Sequence, residues 1–165
     1  MQIQRTNSTT PALRSEAGFT LTEAMTVVAI GTVVVALAVP NFLAGNARHH
    51  LKEAVTELHS NLNVARMAAM SRNRTVTVTL TGGGGPMVTA SINDSAGGQV
   101  IPNQVMNSEI EDRGGASTVQ FNSLGLRVGG GTADQTITLT NSEDLTYAVE
   151  ITPAGKTKWC PKAAC

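Results

Sequence analysis

Between Glu23 and Arg48 the chain carries no charge over 24 consecutive residues, Ala24–Ala47, and most of them are Ala, Val, Leu or Ile. A helix rises about 1.5 Å per residue, so about 20 apolar residues cross a hydrocarbon layer about 30 Å thick. The stretch from Phe19 to Phe42 is long enough to do so, and it is the only such stretch in the chain. The sequence thus predicts at most one crossing. Over all 165 residues only 15% are charged, where about 25% is usual. The deficit is local: of the 12 + 12 = 24 charges, only Glu23 falls within residues 17–47. The hydrophobic content of 41% excludes a disordered chain. A net charge of zero excludes a uniformly basic nucleic-acid binder. Two cysteines exclude a disulfide-rich scaffold.

An apolar segment near the N-terminus has two readings. Arg5 and Arg14 can serve as a basic region ahead of an export signal, with Ala36-Leu37-Ala38 as the small-residue cleavage site. Cutting there releases a soluble exported domain. Two features oppose this. Glu23 sits inside the apolar stretch, where a lone carboxylate is costly and tends to be functional. The helical pattern also runs on beyond Ala38.

The residues Gly18-Phe19-Thr20-Leu21-Thr22-Glu23 resemble the start of the type IV pilin-like proteins. The resemblance implies a short leader, residues 1–18, removed by prepilin peptidase between Gly18 and Phe19, with N-methylation of the new Phe19 amine. The apolar segment, 19–46, is then retained as a transmembrane and filament-core helix. Glu23 becomes the fifth residue, where the family carries its glutamate, and Pro40 falls where many members have a helix-kinking proline. A buried amine and a buried carboxylate are each costly unless paired, so Phe19 and Glu23 of neighbouring subunits are expected to meet during assembly. Pro40 removes a backbone donor, which predicts a break in the helix there.

From residue 47 to 72 the pattern is amphipathic. Leu51, Val55, Leu58, Leu62, Ala65 and Ala69 recur at spacings of three and four, with Lys52, Glu53, Glu57 and Arg66 off that stripe. After Arg74 the period changes to two, in Thr75-Val76-Thr77-Val78-Thr79-Leu80. Further strands are expected at 87–92, 99–105, 118–121, 126–128, 136–139, 147–151 and 156–160, with glycine runs such as Gly82–Gly85 as turns. No helical crossover separates them, so the sheet (75–160) should be mostly antiparallel, in a meander. The predicted class is α+β: one long N-terminal helix, apolar and then amphipathic, packed on an antiparallel sheet. The globular domain is expected to span 47–165.

The resemblance narrows further. Arg66-Met67-Ala68-Ala69, Arg72 and Arg74, then Phe121-Asn122-Ser123-Leu124-Gly125 and Gly155-Lys156-Thr157-Lys158 are similar to the FimT/GspH-type minor pilins and pseudopilins. That implies a structural subunit of a type IV pilus or its initiating tip complex, or of a type II secretion pseudopilus. Its partners would be other pilins, through the N-terminal helix, and prepilin peptidase. It would wait in the bacterial inner membrane with the globular domain in the periplasm. In FimT-type proteins a Gly-Arg-x-Arg motif is associated with DNA uptake. Here Gly155, Lys156 and Lys158 occupy those positions, and lysine keeps the charge without the planar fork. Residues 75–155 hold two arginines against eight acids, a balance of −6, whereas Lys156, Lys158 and Lys162 follow with no acid. With Trp159 among them, these lysines form a candidate DNA contact.

No enzyme is expected, and no cofactor. The glycine runs lack a following Gly-Lys-Ser/Thr. His50 and His59 lie nine apart on the helix, on opposite faces, and cannot share a metal. In an oxidising periplasm Cys160 and Cys165 are expected to bridge and to close a C-terminal loop, 160–165.

Overall fold

The structure, a computed structural model, describes residues 18–82, 88–106 and 110–165, except for the side chains of residues 39–41 and 44. Among the described residues there is one helix, α1, which runs Leu21–Arg72. Nine strands follow among the described residues: β1 (Val76–Thr81), β2 (Thr89–Asp94), β3 (Gln99–Val105), β4 (Ile110–Gly115), β5 (Thr118–Phe121), β6 (Arg127–Val128), β7 (Gln135–Asn141), β8 (Thr146–Ile151) and β9 (Thr157–Cys160). The chain divides into two compact units, one ending at Val39 and the other Pro40–Cys165.

Helical secondary structure continues through position 40, and the two compact units divide there. A proline deletes one amide donor. The Ala, Val and Leu residues on its N-terminal side keep theirs, and one missing bond does not end the helix.

In the second unit, the stripe Leu51, Val55, Leu58, Leu62, Ala65 and Ala69 is fully buried, and Ala54 joins it. It packs into one hydrophobic cluster with alternate residues of the strands: Val76, Val78 and Leu80 of β1, Ile92 of β2, Phe121 of β5, Ile137 and Leu139 of β7, and Val149 and Ile151 of β8. The period-two burial of β1, and of β7 from Ile137 onward, matches their alternating sequence.

The strands do not form one meander. They form two sheets, of order β3-β2-β1-β5-β6 and β4-β7-β8-β9, and all seven pairings are antiparallel. The departure comes from β4, a strand that the hydrophobic pattern does not reveal. Its sequence Ile-Glu-Asp-Arg-Gly-Gly contributes one buried side chain, Ile110. As an edge strand it needs only one partner, and its charges discourage a second. The chain then crosses between the sheets through Ala116 and Ser117, whose backbones bond to Thr136 O of the second sheet and to the Leu80 amide of the first. Gly115 makes this crossing possible. Its φ is +75° and a Cβ would lie 2.2 Å from Thr136 O, so no other residue fits.

Of the expected strands, that at 87–92 is found as β2, two residues later at each end; Met87 and the turn 83–86 lie outside the described residues.

Candidate functional site

Glu23, expected from the sequence to serve in assembly, stands on an unburied helix in the N-terminal unit. Leu21–Ala38 has a mean hydropathy of 2.0, and none of it is buried. Val27, Val28, Ile30, Val33, Val34, Val35 and Leu37 are each 58–69% exposed, so every face of the helix is apolar. Such a helix matches lipid or the interior of a helical bundle rather than one wall of a globular core.

The start of the helix is built by Thr20. Its carbonyl accepts the first helical bond from the Ala24 amide at 3.1 Å, and its Oγ1 accepts from the Glu23 amide at 3.2 Å. This is an N-cap, with Glu23 three residues on, the arrangement of a capping box. Glu23 therefore stands in the first turn, where the exposed amides favour a negative charge. Gly18 and Phe19 lie outside the helix, and Phe19 is 81% exposed. Pro40 lies where the two compact units divide.

The C-terminal residues are brought close but not onto one face. Lys158 pairs with Glu150 across β8 and β9, Nζ to Oε1 at 3.2 Å. Lys156, two residues earlier, is exposed. Trp159 points to the other face of β9, as the period of two requires. There it packs on the core and stacks on Tyr147, with ring centroids 6.1 Å apart and planes at 14°. Thr157, on the same face, donates its hydroxyl to Asn63 Oδ1 of α1 at 3.1 Å. Trp159 thus anchors the last strand, and only the lysines face outward. Cys160 and Cys165 are bridged, with Cα atoms 5.7 Å apart, and Lys162 lies in the exposed loop so closed.

Two arginine clamps were not legible as such. Arg66 was expected on the solvent side of α1, but its side chain reaches two turns. Nε donates to Gly125 O at 2.9 Å and Nη2 to Ala154 O at 3.4 Å. The first turn is closed by Asn122, whose Oδ1 accepts from the Leu124 and Leu126 amides, each at 3.0 Å. In the second turn Gly155 has φ +74°, and a Cβ there would lie 2.0 Å from Gly125 O. The motif residues Arg66, Phe121–Gly125 and Gly155 are therefore one structural cluster. Arg127, also read as a body charge, is buried and donates to Gly129 O, Gly131 O and Ala133 O. The signal for it was the glycine run Gly129–Gly131, one residue beyond the arginine.

A groove of about 770 Å³ lies between the polar side of α1 and β3, lined by Lys52, Glu53, Glu57, Asn61, Ile101 and Gln104 among others. Partial burial, with the charge of Glu53 adding to it, raises the Glu57 carboxyl above its ordinary value.

Comparison with known proteins agrees with this geometry. Residues 54–155 match the family described as Type II transport protein GspH. Residues 13–39 match the prokaryotic N-terminal methylation motif. The type IV minor pilin FimU of Pseudomonas aeruginosa strain PAO1 has a similar fold in two crystal forms, at 20% identity in each. In one, the TM-score is 0.53, with 69% of this chain and 90% of that chain covered; in the other the values are 0.51, 67% and 93%. A search of curated proteins returned no match. With the GspH match spanning more than half of its length, the chain belongs to the GspH family of type IV pilin-like proteins.

Proposed function

We propose that this chain is a minor subunit of a type IV pilus or its initiating tip complex, with a structural and not an enzymatic role. Prepilin peptidase removes residues 1–18, Phe19 becomes the methylated N-terminus, and the subunit waits in the inner membrane with its globular domain in the periplasm. The observation that carries this reading is the helix Leu21–Ala38, apolar on every face and wholly unburied. A helix of this kind needs either lipid or other helices around it, and a filament subunit uses the two in succession. Phe19 and Glu23 then guide docking, because a free amine and a carboxylate entering a helical core are satisfied by each other. Pro40, at the division between the units, gives the helix one missing amide bond at which to adapt to the filament.

The description of the matched family favours a second reading, a pseudopilin of type II secretion. The test is the intact mass of the chain recovered from producing cells, followed by its location. A mature chain starting at methylated Phe19 and found in sheared pili supports the first reading. The same start in a chain confined to secretion pseudopili supports the second. A chain starting at Val39 refutes both.

A DNA-binding role would rest on Lys156 and Lys162, with Lys158 already paired and Trp159 turned to the core.

A further inference from the structure

We propose that Thr20 is a positioning residue for leader removal: its cap begins the helix after the Gly18–Phe19 bond and so leaves that bond free for the peptidase. The inference rests on the processing reading above and adds to it the conformation in which the substrate is presented.

Hydrolysis adds one water across the Gly18–Phe19 amide. The C–N bond breaks, Gly18 keeps the carboxylate, and Phe19 leaves as the amine with the transferred proton. A peptidase needs both faces of that amide accessible, which a helix denies. In this chain the amide lies outside α1, and a Cβ built on Gly18 would meet nothing within 4 Å.

The hydroxyl of Thr20 is what holds the boundary. It accepts from the Glu23 amide, and is itself within 3.1 Å of the Thr22 hydroxyl. Without it the Glu23 amide is an orphan donor at the edge of an apolar layer, where unsatisfied donors are expensive. Its nearest replacement is the carbonyl four residues back, that of Phe19. Taking that bond adds a residue to the helix. The next bond, Thr22 amide to Gly18 carbonyl, engages the oxygen of the scissile amide itself. Leu21–Ala38 is an uninterrupted helix that favours such propagation. Thr20 stops it.

The test uses the full-length chain in membrane vesicles, incubated with prepilin peptidase, with both products identified by mass. Four variants are compared: Thr20→Ala, Thr20→Val, Thr20→Ser and Thr20→Asn. Valine copies the shape of threonine without capping, and asparagine caps without copying the shape. Thr20→Ala and Thr20→Val should raise KM, by up to about five-fold, with kcat unchanged, since a cap of ordinary strength changes the ratio of open to extended-helix forms by about that factor. Thr20→Ser and Thr20→Asn should match the parent. Cleavage of Thr20→Val at the parent's KM, or of Thr20→Asn as poorly as Thr20→Ala, overturns the proposal while the processing reading stands. A parent chain left uncut between Gly18 and Phe19 overturns the processing reading, and this proposal with it.

Discussion

Replacing Arg66 by alanine should loosen the end of the globular unit more than a half-exposed helix residue ordinarily would. Its guanidinium is the donor for two backbone carbonyls, Gly125 O at 2.9 Å and Ala154 O at 3.4 Å. Hydrogen bonds to charged groups contribute about 1.5–3 kcal/mol each. The shorter contact should have a value in that range. The longer one is weak, and its carbonyl can be recovered by water. The expected loss is therefore about 2–3 kcal/mol. Lysine keeps the charge but presents no fork, so Arg66→Lys should restore about half. The measurement is urea unfolding of the full chain in detergent, followed by circular dichroism and by fluorescence. Trp159 is the only tryptophan and stacks on Tyr147, so its emission reports the second sheet. Gly155→Ala supplies an independent check. Its Cβ would collide with Gly125 O, and its φ of +74° is unfavourable for alanine. That variant should lose at least about 2 kcal/mol, and the double variant should lose less than the sum of the two single losses, because each change separates the same turns. A change within about 0.5 kcal/mol for Arg66→Ala, the range of ordinary surface substitutions, refutes the clamp.

Asp94 offers a pH signature. Its carboxyl is held below the ordinary value, first by the Gly98 amide and then by Arg72 and the Ala96 amide, against partial desolvation. A lowered carboxyl stabilises the fold above its unfolded value of about 4 and ceases to do so as pH falls through the folded value; Asp94→Asn should melt lower at pH 7 and converge on the parent in acid, and a constant gap would argue against it. Reduction of Cys160–Cys165 should cost at most about 2 kcal/mol, since the closed loop is short, and thermal unfolding with and without reductant measures it. In a gel shift with the full chain in detergent, Lys156→Ala with Lys162→Ala should abolish any salt-sensitive DNA binding while Trp159→Phe leaves it intact. Binding that survives the lysine changes and fails with Trp159→Phe would contradict the observed facing of β9.

The local features were legible from the sequence because each follows from short-range physics. An uncharged run of sufficient length must be a helix in an apolar medium. The three-and-four spacing from Leu51 to Ala69 identified the buried face residue by residue, because helix geometry alone decides which side chains share a side. The alternation in Thr75–Leu80 identified β1 for the same reason. What the pattern could not contain was partnership. Strand β4 has almost no core residues, so hydrophobicity was silent about it, and without β4 the division into two sheets could not be seen. Arg66 and Arg127 look like any solvent charge until the carbonyls of distant turns arrive beside them. Trp159 and the lysines are adjacent in the chain, but a strand sends neighbours to opposite faces, and only the position of α1 decides which face is the core. The sequence by itself determined the helix and the strands that carry a clear apolar period, and the side each of those buries, since these depend on period and composition. The tertiary structure decided which elements meet and which polar groups are thereby satisfied, since those contacts join residues as far apart as Asn63 and Thr157.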